Sequence, residues 1–261
     1  MSVRGYLLGE SLGACPYIAG NNAAHEQLVV DAIDEEELDA LLAAGYRHFG
    51  TYFFRPVCAR CHRCVPLRVP VEQYAFPRTG RRLLNRGKRF LVTLERPRPS
   101  HDAYKLYLRH KLRFAEPGER RQAEGYGEFV ETFFHSFPFS YQLSIYDESR
   151  LIAVSHLDMT SSSISAIYCY YDDRYTRESL GSLSIFREIE IAKERGLRWV
   201  YLGYYVAANR HMSYKVRYAP NEVLVEEGKW IKLLDPGESF HDNIDKTGKV
   251  EFIPKSRLRA D

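Results

Sequence analysis

The sequence predicts an α+β protein: a mixed sheet with flanking helices in the C-terminal part, preceded by a cysteine-bearing N-terminal module. Two observations lead there. From Ser140 to Val206 three strand-like runs are followed by one helical run and a further strand, and near the N-terminus Cys58, Cys61 and Cys64 crowd into seven residues. With 261 residues, 45% apolar and 27% charged, the chain has a globular composition and enough length for one large or two ordinary domains. The change of pattern divides it into an N-terminal module, residues 1–98, and a second domain, residues 99–261.

The first helix is expected from Asp34 to Ala44, because Asp34 can cap it, Glu35, Glu36 and Glu37 fill its first turn and Gly45 stops it. Val65 to Val71 reads as a short strand edged by prolines. A second helix is expected over Gly80 to Lys88, with Arg82 and Arg86 on one face at four-residue spacing. Tyr104, Leu108 and Leu112 recur at helical spacing between Asp102 and Phe114, beside a basic stripe of Lys105, Arg109 and Arg113. A polar stretch from Glu116 to Gly127 separates this helix from Phe129 to Phe134. Strands follow at Ser140 to Tyr146, Leu151 to Met159 and Ser165 to Tyr171. Leu180, Leu183, Phe186, Ile189 and Lys193 then keep helical spacing until Gly196, before a strand at Leu197 to Val206. A helical turn at His211 to Tyr218 precedes two short strands between Glu222 and Leu233, hinged at Gly228.

No apolar run approaches bilayer length and the N-terminus lacks a secretory apolar core, so a cytoplasmic protein without a membrane partner is expected. Net charge is +3, but from Arg78 to Arg121 fourteen Lys/Arg face four Asp/Glu, a local +10 that leaves −7 for the rest. Such a block suits a phosphate backbone, and a solvated basic face has the same composition.

Five cysteines, three of them clustered, speak against a disulfide framework. Thiolates at Cys58, Cys61 and Cys64, with Cys15 as a fourth, have the spacing to hold zinc or an iron–sulfur cluster. The alternative is a reduced, unligated thiol cluster. Cys169 reads as core, and the histidines show no paired catalytic spacing, although His62 lies between ligand candidates.

Strand, strand, strand, helix, strand is the core order of the acyl-coenzyme A N-acetyltransferase (GNAT) superfold, an order that does not settle function by itself. More specific are Cys15-Pro16-Tyr17, Gly45-Tyr46-Arg47 and the run Arg55-Pro56-Val57-Cys58-Ala59-Arg60-Cys61-His62-Arg63-Cys64-Val65-Pro66-Leu67-Arg68. In the second half come Ser179-Leu180-Gly181, Tyr201-Leu202-Gly203-Tyr204-Tyr205, Met212-Ser213-Tyr214-Lys215 and Pro220-Asn221-Glu222-Val223-Leu224. In these segments the chain resembles the arginyl-tRNA–protein transferase family, and within it the bacterial aspartate/glutamate leucyltransferases, over roughly residues 14 to 232. It departs from the family pattern at Thr79-Gly80-Arg81-Arg82 and Asn85-Arg86.

The resemblance implies an enzyme that moves leucine from leucyl-tRNA to the N-terminal Asp or Glu of acceptor proteins, marking them for degradation through the N-degron pathway. Its partners would be an aminoacyl-tRNA and acceptors beginning with Asp or Glu. It adds an oxygen-sensitive iron–sulfur cluster to the metal readings, while the transfer itself needs no cofactor, because the ester is already activated and positioning supplies most of the acceleration. Catalytic candidates are Asp158, Tyr204 and Lys215. Substrate-binding candidates are Arg81, Arg82 and Arg86 for anionic groups, Ser179 and Gly181 for backbone amides at a helix start, and Tyr205 and Tyr214, with Tyr204, for the terminal adenosine. For the arginines the plain alternative is a solvated charge, for the tyrosines core packing, and for Asp158 a turn cap.

Three other functions compete. An arginyltransferase would use the same acceptors and a different donor. An acetyl-coenzyme A dependent N-acetyltransferase would want a glycine-rich loop where only Gly181 stands. A metal- or cluster-bearing RNA-binding protein without catalysis would explain the basic block and the cysteines alone.

Overall fold

The computed structural model describes residues 4–113, 124–135, 137–226 and 228–233, with the backbone of two further strands at 241–244 and 250–253. In chain order the elements are β1 (Arg4–Ala14), β2 (Asn22–Ala32), α1 (Glu35–Ala43), β3 (Arg47–Phe49), β4 (Tyr52–Pro56), β5 (Val65–Pro70), α2 (Arg78–Arg86) and β6 (Leu91–Glu95). Then come α3 (His101–Leu112), α4 (Tyr126–Phe134), β7 (Ser140–Asp147), β8 (Arg150–Met159), β9 (Ser163–Tyr171), α5 (Leu180–Glu194), β10 (Trp199–Tyr205), α6 (Arg210–Ser213), β11 (Asn221–Glu226), β12 (Lys229–Leu233), β13 (His241–Ile244) and β14 (Val250–Ile253). The anticipated class, α+β with a large mixed sheet and flanking helices, is the one found. No described helix is long and apolar enough to cross a membrane. Of the polar stretch anticipated at 116–127, residues 116–123, including the basic Arg120 and Arg121, lie outside the described residues.

Two compact units interleave along the chain. The first comprises residues 1–48, 52–74 and 201–261, the second residues 49–51 and 75–200, so position 98, where the sequence pattern changes, lies inside the second unit.

In the first unit β1 and β2 form a long antiparallel hairpin running from Arg4↔Ala32 to Ala14↔Asn22, and β2 pairs onward with the aromatic β4. α1 starts as its sequence suggests. The Asp34 carboxylate accepts from Glu37 N at 2.9 Å and Glu37 returns the bond to Asp34 N at 3.0 Å, a reciprocal cap, while Leu38 and Leu42 bury its inner face. β11 pairs with β12 and with β5, whose Val65, Leu67 and Val69 alternate inward. Arg68 fastens this edge: it binds Glu222 at 2.8 Å and lies 4.1 Å over the Trp230 ring.

In the second unit β6, β7, β8 and β9 make an antiparallel meander. Successive side chains of a strand point to opposite faces, and here the two faces have different covers. Val154 and Tyr170 pack with Ala103, Leu106 and Tyr107 of α3 and with Phe129 and Phe133 of α4. Their neighbours Ser155 and Cys169 instead meet Glu188 and Ser184 of α5. α2 lies on α5 through two glycines, since a Cβ on Gly80 would sit 2.9 Å from Phe186 and one on Gly87 2.8 Å from Leu183. His156 is a core histidine, stacked on Phe133 and bonded to the Tyr170 hydroxyl at 3.2 Å, and burial holds its pKa down to about 3.

Candidate active site

Within the first unit, the segment after β10 doubles back on that strand. Asn209 caps the short α6 by accepting from His211 N at 2.9 Å, and its amide donates to Tyr17 O at 2.9 Å, so one side chain fixes both the helix and the loop after Cys15. The turn of 3-10 helix from Tyr214 to Arg217 then directs Lys215 inward. Lys215 is 7% exposed, and its Nζ donates to Tyr204 O at 2.7 Å and lies 3.8 Å from Met212 Sδ.

No carboxylate among the described residues pairs with that ammonium. Burial lowers its pKa to about 7, the nearby Arg47 guanidinium pushes the same way, and Cys64 opposes them. Arg47, on β3, is itself buried. Gly203 is where the two cations approach the strand: its φ is +82°, and a Cβ there would lie 3.4 Å from Lys215 Nζ and 3.7 Å from Arg47 Nε. A side chain at 203 would be strained by that φ and would stand in van der Waals contact with both cations.

The cysteines approach the same place. Cys64 feels Cys15, Cys61 and Cys58, and burial with this mutual repulsion pushes its pKa up to about 12, with Lys215 opposing. Tyr17 has its pKa raised by burial and then by Cys64 and Cys15. All five cysteines are free. The Cys58 sulfur is turned to the backbone of β2, accepting from Ala24 N at 3.3 Å and facing Ala24 O at 3.6 Å. Among the described residues no three His, Cys, Asp or Glu side chains are arranged to hold a metal ion. The four cysteines anticipated as ligands, Cys15, Cys58, Cys61 and Cys64, are therefore near one place but not in ligating geometry among the described residues.

Residues 13–82 match the family described as "Arginine-tRNA-protein transferase, N terminus", and residues 102–225 match "Arginine-tRNA-protein transferase, C terminus". The chain belongs to the arginine-tRNA–protein transferase family. It is an aminoacyltransferase. Among its relatives, the aspartate/glutamate leucyltransferase of Shewanella oneidensis is 37% identical over 82% of this chain and 89% of its own length. The protein of the same name from Campylobacter jejuni (strain 81116) is 34% identical over 80% of this chain and 89% of its own. Among solved structures, the C-terminal domain of a putative lysylphosphatidylglycerol synthetase from Agrobacterium fabrum has a TM-score of 0.47 at 12% identity, covering 86% of this chain and 82% of that one.

For this transferase the anticipated site residues divide between the units. Lys215, Tyr204, Tyr205, Tyr214 and the four clustered cysteines belong to the first; Arg81, Arg82, Arg86, Asp158, Ser179 and Gly181 belong to the second. Tyr204 is buried, with its hydroxyl shared between Gly45 O at 2.9 Å and Phe54 O at 3.2 Å, and burial raises its pKa. Tyr205 is also buried, whereas Tyr214 is half-buried beside Lys215. Asp158 is fully buried and accepts from Ser140 Oγ at 2.8 Å, a bond that fastens the start of β7. Arg81 donates to Phe76 O, while Arg82 and Arg86 stand exposed on the outer face of α2. Ser179 takes a left-handed φ of +46° at the start of α5, and Gly181 leaves room for the Tyr171 ring, which a Cβ would meet at 2.9 Å.

Arg47 and Gly203 are absent from the residues anticipated from sequence. Both stand inside segments that carried the family resemblance, Gly45-Tyr46-Arg47 and Tyr201-Leu202-Gly203, which was the available signal.

Proposed function

We propose that this transferase moves leucine from leucyl-tRNA onto the N-terminal α-amine of proteins beginning with Asp or Glu, with Lys215 as the proton acceptor. One observation carries the assignment of Lys215: a buried amine without a carboxylate partner among the described residues, its pKa drawn down to about 7 in a site where Arg47 and Gly203 converge. A lysine ordinarily titrates far above neutrality and is a base only when its ammonium is penalised in this way. The names of the 34% and 37% identical relatives support the donor and the acceptors.

In the reaction so read, the acceptor α-amine attacks the ester carbonyl of the aminoacyl-tRNA. A C–N bond forms, the C–O bond to the terminal ribose breaks, and the proton shed by the attacking nitrogen passes to neutral Lys215 and on to the departing ribose oxygen. With Lys215 neutral, Arg47 supplies the positive potential that suits a carboxylate-tipped acceptor. Tyr214, half-buried and next in sequence to Lys215, is the ring best suited to the terminal adenosine. Tyr204, engaged with two carbonyls, and Asp158, engaged with Ser140, serve as positioning residues. A charged tRNA as donor assigns the enzyme to the cytoplasm.

A second reading, arginine as the transferred residue, is favoured by the description of the matched family. Parallel incubation with labelled leucyl-tRNA and labelled arginyl-tRNA and a Glu-starting peptide separates the two. Label is expected from leucyl-tRNA, with arginyl-tRNA slower by about a hundredfold or more; the reverse preference would assign the chain as an arginyltransferase.

A further inference from the structure

At one end of the second unit the chain gathers arginines for which the transfer step has no use. Arg150 lies where β8 begins, and Arg174, Tyr175, Thr176, Arg177 and Glu178 form the approach to α5; together they line an open cavity of about 440 Å³, within the usual range of ligand clefts. Asp172 organises it. Its carboxylate is 1% exposed and takes Arg174 through Nε at 3.0 Å and Nη2 at 2.6 Å, and Arg150 through Nη2 at 2.9 Å. Both guanidinium side chains remain about half exposed, at 48% and 52%. The buried acid thus fixes two arginine forks while their remaining donors face solvent.

A further arginine adjoins the cleft. Arg89, just past α2, pairs with Glu178 at 3.0 Å, and Phe90 meets the Tyr175 ring edge-on at 6.2 Å, which ties the end of α2 to this turn. Arg86 and Arg177 are exposed, and among the described residues neither makes an intramolecular hydrogen bond or ion pair. Of the nearby acids, Asp173 is engaged with Arg109 at 3.0 Å, Glu178 with Arg89, and Asp147 with the Tyr175 hydroxyl at 2.8 Å, while Glu148, two residues before Arg150, is exposed. α5 itself begins without a side-chain cap and without an acid in its first turn, so its leading amides add positive potential.

We infer that Arg150, Arg174 and Arg177, extended by Arg86 three residues before the Arg89 that pairs with Glu178, form a docking strip for the phosphate backbone of the donor tRNA, an inference that rests on the tRNA-dependent reading above. A compact anion would call for one closed pocket. Guanidiniums spread along an open cleft match a strand of spaced phosphates, which is held without reading its bases.

The test is binding of uncharged tRNA, followed by fluorescence anisotropy over a series of salt concentrations, with leucyl transfer measured alongside. In the double variant Arg86→Glu/Arg177→Glu the dissociation constant is expected to rise about tenfold or more near physiological salt, and the slope of log K against log[salt] to become shallower by about one per lost contact. Both positions are exposed and without a hydrogen-bond or ion-pair partner among the described residues, and Arg177→Ala alone provides a milder variant whose fold is checked by circular dichroism. Arg195→Glu, an exposed arginine just past the far end of α5, is the charge control and is expected to stay within about twofold of the wild type. Unchanged affinity and slope in the double variant, or an equal loss in the Arg195→Glu control, overturns the strip. A wild-type protein that binds tRNA through these arginines but transfers no amino acid supports the strip and sinks the transferase mechanism instead.

Discussion

Lys215→Met lowers the rate of aminoacyl transfer near pH 7 by about two to four orders of magnitude, the usual contribution of a positioned base, while the protein stays folded. The amine is 7% exposed and bonded only to Tyr204 O and Met212 Sδ among the described residues, so methionine fills its space without stranding a charge. In the wild type the rate should climb through about pH 7 as Lys215 loses its proton, and the variant should lack that limb. Lys215→Arg should not rescue it, because a guanidinium stays protonated. A stability measurement checks the same burial independently. The unfolded chain keeps the Lys215 proton up to the ordinary value of 10.5, whereas the folded chain releases it near 7, so wild-type stability relative to Lys215→Met rises with pH across that window and is lowest below it. Each unit of separation corresponds to about 1.4 kcal/mol. A stability difference that does not change between pH 7 and 10 would show that Lys215 is not held neutral by the fold.

Arg47→Leu should act through Lys215. Arg47 is the second cause, after burial, that lowers the Lys215 pKa, so removing its charge allows the ammonium to persist to higher pH. The rate near pH 7 is expected to fall by about tenfold, one pKa unit of displacement, and to recover substantially near pH 9, where a second titrating base is not needed to explain it. The measurement is a full pH profile of kcat for both proteins with leucyl-tRNA and the acceptor peptide both saturating, so that weaker acceptor binding without Arg47 does not enter the rate. A uniform drop at every pH, without displacement of the rising limb, would remove Arg47 as the group that tunes Lys215.

The parts of the fold that the sequence disclosed are those whose burial is periodic. Leu180, Leu183, Phe186 and Ile189 line the inner face of α5, all buried, at the spacing that announces a helix, and Asp34 with Glu37 announces the start of α1. The hairpin of β1 and β2 was not anticipated, because β1 leaves nearly every side chain exposed on both faces and so carries no alternation to read. Much the same holds for the short β6, exposed at both ends. At the site, Lys215 was marked by its motif, but its lowered pKa comes from burial and then from Arg47, which is far from it in sequence and is brought near only by the fold. Arg47 was invisible as a buried cation, since an arginine in a sequence is far more often a surface charge. The cysteine spacing was plain, whereas the turn of the Cys58 sulfur toward Ala24 depends on how β2 and the loop after β4 meet.

The most direct measurement offers labelled leucyl-tRNA to two peptides that differ only in whether the first residue is Glu or Gln. Positive potential from Arg47 at a site with a neutral Lys215 predicts that the Glu peptide is labelled with a kcat/KM at least about a hundredfold above that of the Gln peptide. Equal labelling of the two peptides would contradict it.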